Sequence, residues 1–148
     1  MKVGVCMLRV TAKQQLMREI VELLSVLTEE AQLVWGEKGL HVTVVDGSHV
    51  ALLSATIADE CFETYEVEQV EIGLELGKMR DLLTLAGPND LVELDYDESF
   101  GAINVRVGEV HRILRGVDPA TMNNPNIPSL DFKCKATIGS DRLSRSLR

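Results

Sequence analysis

The chain has 148 residues, 45% of them apolar, and a formal net charge of −8. That length allows one domain with a real core and is short for two, and the apolar content is that of a globular protein rather than a disordered one. No apolar run approaches 18 residues, so the sequence holds no transmembrane helix, and the acidic balance excludes a protein that coats nucleic acid by charge alone.

The N-terminus MKVGVCMLRV lacks a cleavage site followed by a clear mature start, so it does not read as a signal peptide. Residues 3–10 read as a strand. From Lys13 the period changes. Leu16, Ile20, Leu23, Leu24 and Leu27 form one apolar stripe of a helix, with Lys13, Gln14, Arg18, Glu22 and Ser25 on its other side. Residues 31–35 are a short strand with Trp35 in the core, and Gly36-Glu37-Lys38-Gly39 turns the chain.

Two β-runs follow, 40–45 and 50–57, joined by Asp46-Gly47-Ser48-His49. Leu40, Val42 and Val44 alternate with His41, Thr43 and Val45, the period of a strand with one buried face. Asp-Gly between such runs predicts a hairpin, with Gly47 taking the positive φ. Residues 59–75 hold seven acids and no Lys or Arg; within them 61–66 reads as an irregular link and 70–74 as a strand. A second helix carries Leu76, Met79, Leu82, Leu83 and Ala86, and Gly87-Pro88-Asn89 ends it, Gly87 suiting the C′ position. Three strands come next, at 91–96, 102–107 and 110–114.

The order is β-α-β-β-β twice, which predicts an α+β fold with two helices packed on one face of a curved antiparallel sheet. From Gly116 the texture changes. Pro119, Pro125 and Pro128 make an extended connector, 132–138 is strand-like, and Ser140 or Asp141 caps a final helix bearing Arg142, Arg145 and Arg148. Three widely spaced cysteines, Cys6, Cys61 and Cys134, predict reduced, buried thiols.

The chain lacks a dinucleotide fingerprint, a phosphate-binding P-loop and a nucleophile elbow. His41, His49 and His111 have no Cys or carboxylate at metal-ligand spacing, and nothing near Cys61 in sequence activates it. The reading is therefore a protein without catalytic residues, metal or cofactor.

Several stretches together resemble the proliferating cell nuclear antigen family, the DNA sliding clamps of archaea and eukaryotes. They are Asp46-Gly47-Ser48-His49-Val50, Phe62-Glu63-Thr64-Tyr65-Glu66, Ile72-Gly73-Leu74-Glu75-Leu76, Leu83-Thr84-Leu85-Ala86-Gly87, Asp90-Leu91-Val92-Glu93-Leu94 and Ile127-Pro128 before Cys134. Their order and spacing carry the resemblance over residues 8–148, and the details look closer to archaeal members. The resemblance implies a DNA-clamp fold and a ring in which helices line the pore and sheets form the wall. Such a ring holds double-stranded DNA topologically, without sequence readout. It implies residues 1–117 as the first clamp domain, with 1–6 an extension, 118–131 as the interdomain linker and 132–148 as the start of a second domain. It also implies a cytoplasmic protein on the archaeal reading, nuclear on the eukaryotic one, with no membrane partner.

By position, the implied pore residues are Lys13, Arg18, Lys78, Arg80, Arg145 and Arg148; the plain alternative is a solvated helix face. Asp81, Thr84 and Glu22 interrupt that pattern. The implied partner pocket takes a helical plug from polymerases, ligases, nucleases and the clamp loader. Val45, His49, Val50, Leu52 and Ile127 match its lining, with core packing the alternative for the aliphatic ones. The implied subunit-interface edge is Val110, His111, Arg112, Ile113 and Leu114, a strand that would pair with a neighbour in a self-associated ring. The chain spans little more than half of a family protomer. Three expectations follow: a truncated clamp, single domains joined head to tail through 110–114 and 50–57, or a stand-alone adaptor that binds replication peptides without encircling DNA.

Overall fold

The computed structural model describes residues 7–122 and 125–148. The extension assigned to 1–6, and Cys6 within it, lie outside the described residues. The first strand, β1, is Met7–Lys13, three residues further along than the sequence predicts at its C-terminal end. Lys13 is consequently the N-cap of helix α1, Gln14–Ser25, rather than part of it. The pairing explains the shift, because β1 runs beside another strand as far as the Lys13↔Leu91 pair.

The chain then forms β2 (Glu30–Gly36), β3 (Gly39–Val45), β4 (Leu52–Ala58), β5 (Thr64–Val67), β6 (Val70–Glu75), helix α2 (Leu76–Leu83), β7 (Leu91–Asp97), β8 (Ala102–Val107), β9 (Val110–Arg115) and helix α3 (Ser140–Ser146). All pairings are antiparallel, and they divide into two sheets of order β5-β1-β7-β8-β9 and β4-β3-β2-β6. The predicted α+β architecture and its repeat are present, with the strands split between two sheets rather than held in one. Each half lends its first strand to the other: β1 joins β7-β8-β9, and β6 joins β2-β3-β4.

Alternation builds the inner faces. In one sheet the buried cross-strand rows are Leu8-Tyr96-Ile103, Val10-Leu94-Val105 and Ala12-Val92-Val107, Tyr96 only partly so. In the other they run Leu40-Trp35-Val70, Val42-Leu33-Ile72 and Ala31-Leu74, with Val44 buried beyond the last β2–β3 pair. The helix pair completes this core. On α1 the buried stripe is Met17, Ile20, Val21 and Leu24, while Leu16 and Leu27 are only partly buried and Leu23 is exposed. The buried stripe is thus rotated from the predicted one, α1 turning its Met17–Val21 side inward and leaving Leu23 outside. Gln14, expected on the polar face, is buried and donates its Nε2 to the Leu83 carbonyl at 2.7 Å, tying α1 to the end of α2.

Several other expectations are corrected. The irregular link expected at 61–66 is instead the end of a 3₁₀ turn, Asp59–Cys61, and most of strand β5. The Trp35, Phe62 and Tyr65 rings pack there with centroids 5.3–6.2 Å apart, and Tyr65 Oη donates to the Gly36 carbonyl at 2.6 Å, so the corner between the sheets is filled. Helix α2 ends at Leu83 with Thr84 as C-cap; Gly87 instead donates its N–H to Asp90 Oδ2 at 2.8 Å. The positive φ of the hairpin tip falls on His49, at 56°, not on Gly47. Residues 132–138 form no strand and are exposed throughout, since no strand among the described residues lies beside them to complete a ladder. Gly139, not Ser140 or Asp141, is the N-cap of α3, with no side-chain cap bond. Cys61 and Cys134 are exposed, one on the corner turn and one on that unpaired segment. No helix among the described residues is long and apolar enough to cross a membrane.

Leu40 is fully buried and Val50 is 86% exposed. Leu40→Ala is expected to cost about 2–5 kcal/mol of unfolding free energy, the range for a cavity-forming core truncation. Val50→Ala is expected to change it by less than about 0.5 kcal/mol, as surface substitutions do. Urea denaturation followed by circular dichroism measures both.

Candidate functional site

The β3–β4 hairpin ends in a loop built around one carboxylate. Asp46 Oδ1 accepts the N–H groups of Val50 and Ala51, each at 2.8 Å. Its Oδ2 accepts the Ser48 N–H at 3.4 Å and the Ser48 hydroxyl. The Asp46 carbonyl accepts the His49 N–H at 3.0 Å, and the Asp46 N–H donates to the Ala51 carbonyl at 3.0 Å. The Ser48 hydroxyl first, then the Ala51 amide, hold the Asp46 carboxyl down at about 2, against an ordinary value of 3.8. The aspartate of the hairpin signal is therefore a structural acceptor that sets the shape of the tip.

Beside this tip is a cleft of about 330 Å³, lined by Thr28, Glu30, Ala31 and Gln32 from the β2 side, by Thr43, Val44, Val45, Asp46, Gly47 and His49 from the hairpin, and by Thr121 and Met122 from the linker. Of the five residues the sequence assigns to a partner pocket, Val45 and His49 line this cleft. Leu52 is opposite Val45 in the strand register and half exposed, Val50 projects into solvent, and Ile127 is exposed outside the cleft wall. The structure adds Met122, Thr43 and Gln32, which sequence reasoning passed over because nothing in the spacing shows which linker residue folds back onto the sheet.

The linker folds back through a 3₁₀ turn, Pro119–Thr121, whose N-cap Asp118 accepts the Ala120 N–H at 3.0 Å. It crosses the outer face of the β4-β3-β2-β6 sheet, so Gln32 is only 7% exposed although it points away from the core. Gln32 Nε2 donates to Glu71 Oε2 at 2.7 Å. A second, acidic cleft shares Thr28 and Glu30 with the first and continues past Glu29 and Glu75 to Arg80.

The basic residues assigned to the pore face are exposed, and most already hold an acid. Lys13 Nζ is 3.9 Å from Glu63, Arg18 Nε 2.6 Å from Glu22, Lys78 Nζ 2.7 Å from Glu75 and Arg145 Nη2 3.6 Å from Asp141. The hydrogen bond from Arg18 to Glu22 raises the guanidinium above its ordinary value, with the charge of Glu22 adding to it. Arg80 makes no ion pair among the described residues, and Arg148 is exposed. Across α1 and α2 with their N-caps there are four cationic and four anionic side chains, so this layer is neutral within an acidic protein. Residues 132–148 carry five cations against Asp141 alone.

Strand β9 is an edge of the five-stranded sheet, as is β4 of the other. On β9, Leu114 is buried, Val110 is partly so, and His111, Arg112 and Ile113 are exposed. No group of three or more His, Cys, Asp or Glu residues among the described residues could hold a metal ion.

Comparison with known proteins follows the same lines. Residues 7–114 match the family model for the N-terminal domain of proliferating cell nuclear antigen. The chain is 28% identical over 143 residues to a DNA polymerase sliding clamp of Methanococcoides burtonii, covering 96% of this chain and 58% of that protein. It is 32% identical over 127 residues to the sliding clamp of Methanocorpusculum labreanum, covering 85% of this chain and 51% of that protein. Among solved structures it superimposes on the A. fulgidus PCNA bound to the C-terminal region of FEN-1 with a TM-score of 0.79 and 28% identity, over 84% of this chain and 51% of that one. The PCNA of Entamoeba histolytica, at 21% identity and a TM-score of 0.77, shows the same fold. The chain spans little more than half the length of the relatives it matches.

The depressed value of Asp46 fixes a pH window. The folded carboxyl lies below its ordinary value, so its bonds stabilise the tip fully above about 3.8 and are lost as pH falls through about 2. The Asp46 carboxyl signal in NMR is expected to titrate with a midpoint near 2, and Asp46→Ala to release the Val50 and Ala51 amides to solvent exchange at neutral pH while the β2–β3 amides stay protected.

Proposed function

This chain belongs to the proliferating cell nuclear antigen family through its residues 7–114, and on that premise we propose that it acts as a DNA sliding-clamp subunit. The family match is the observation that carries the reading. In it, residues 1–117 are the first clamp domain, 118–131 the linker and 132–148 the start of a second domain. The protein is a scaffold without a catalytic step, working in the compartment where DNA is replicated. It encircles double-stranded DNA in a closed assembly and tethers replication and repair enzymes.

Physical chemistry favours enclosure over tight binding here. The α1–α2 layer is neutral, and its cations are mostly paired, so phosphate contacts are few and weak. A closed ring retains DNA by topology and needs no more than that. Lys13, Arg18, Lys78, Arg80, Arg145 and Arg148 supply the sequence-independent contacts. The β9 edge, Val110 to Leu114, offers unpaired backbone groups to a neighbouring protomer. Val45 and His49 in the cleft wall, with the exposed Val50, Leu52 and Ile127, supply a partner site on which a segment such as the C-terminal region of FEN-1 docks.

Retention on DNA tests the reading. The chain is loaded by an archaeal clamp loader onto nicked circular plasmid, and the plasmid is then cut once. A clamp is retained on the circle and lost after cutting. Equal retention on both forms would indicate direct binding instead, and retention on neither would remove the clamp reading. Calorimetric titration with the FEN-1 C-terminal peptide tests the partner site: His49→Ala, at the cleft rim, is expected to weaken binding by about 1–2 kcal/mol.

A further inference from the structure

We propose that Gly73 is a positioning residue for the partner cleft: its missing side chain lets the linker lie against the sheet, and this sets the Thr121–Met122 wall. The inference rests on the partner-site reading above.

Gly73 is on β6, the edge strand opposite β4 in its sheet. Its carbonyl accepts the Val117 N–H at 2.9 Å, and the two residues form an isolated antiparallel bridge. A Cβ at position 73 would collide with the Val117 carbonyl oxygen and lie 2.9 Å from Met122 Sδ. Gly73 is not among the glycines with positive φ, so crowding and not backbone strain demands glycine here. Its cross-strand neighbour on the same outer face is Gln32, which the linker covers. From Val117 the chain is stiffened to the cleft. Asp118 Oδ1 holds the Ala120 N–H, the Asp118 carbonyl accepts the Thr121 N–H at 3.0 Å and its hydroxyl at 2.8 Å, and the Pro119 carbonyl accepts the Met122 N–H at 3.2 Å. A shift at Val117 is thus carried to Thr121 and Met122, the linker residues in the cleft wall.

The test uses the full chain, amide hydrogen exchange by NMR, and titration with the FEN-1 C-terminal peptide. Gly73→Ala is expected to abolish protection of the Val117 amide while the Val42 and Leu33 amides stay protected, and to weaken the peptide about tenfold or more. Met122→Ala is expected to weaken the peptide with Val117 still protected. Gly77→Ala is the control, because a Cβ there meets nothing closer than Arg80 Nη2 at 4.0 Å; it should change neither reading. Should Gly73→Ala unfold, Val117→Pro removes the same hydrogen bond from the linker side and should weaken the peptide alike. Val117 protection kept in Gly73→Ala, or lost with peptide affinity within about twofold of wild type, overturns the proposal. A wild-type chain that binds no peptide overturns the partner-site reading and the cleft half of this inference, whereas selective loss of Val117 protection still upholds the clasp at Gly73.

Discussion

The pairing of β1 with β7 is the constraint on which the other features depend. It spans seven residue pairs, Met7↔Asp97 to Lys13↔Leu91, and joins the first strand of one repeat to the strands of the other. Its counterpart is β6 beside β2. Neither repeat can complete its sheet alone, so the halves fold as one unit. The helices follow directly from this exchange. Each begins where an exchanged strand ends, α1 after Lys13 and α2 after Glu75, so the two are delivered side by side onto the buried rows. Gln14 then fixes their offset by its bond to Leu83. A buried amide of this kind is costly unless partnered, and its Nε2 is partnered by the Leu83 carbonyl in the last turn of α2, which the Ala86 N–H reaches only at 3.4 Å.

Much of this was legible because burial leaves a period in the sequence. The alternation at Leu40, Val42 and Val44 marked β3 and its buried face, and the spacing of Leu76, Met79, Leu82 and Leu83 marked α2. What failed did so where tertiary contacts override local pattern. Residues 61–66 look like an irregular acidic link, yet pairing with β1 on one side and the Tyr65 bond across the corner make Thr64–Val67 a strand. Leu23 belongs to the leucine pattern of α1 but faces out, while Met17 and Val21 face in. The aspartate and glycine of the hairpin predicted a turn correctly, but the loop runs over 46–51 rather than 46–49, and His49 takes the unusual backbone angle.

The site was legible in a different way. Charge pattern alone found the helix cations but not their partners: the Arg18–Glu22 and Lys78–Glu75 pairs lie at helical spacing, whereas Lys13–Glu63 crosses between distant segments. The cleft required the fold, since Thr28, Val45 and Met122 are brought together only when the linker returns across the sheet. Apolar residues at the hairpin tip could equally have been core. Exposure decides the matter for Val50, and partial exposure for Leu52.

The Asp46 loop carries one more consequence. A single carboxylate accepts bonds from Ser48, Val50 and Ala51, so the tip is already ordered in the free protein. Val50 is thereby held out in water on a fixed backbone, an apolar group presented rather than hidden. Any surface that covers it gains the burial of that side chain without first having to freeze the loop beneath it. The entropy of ordering was lost when the hairpin folded, and association starts from a rim whose shape is preorganised.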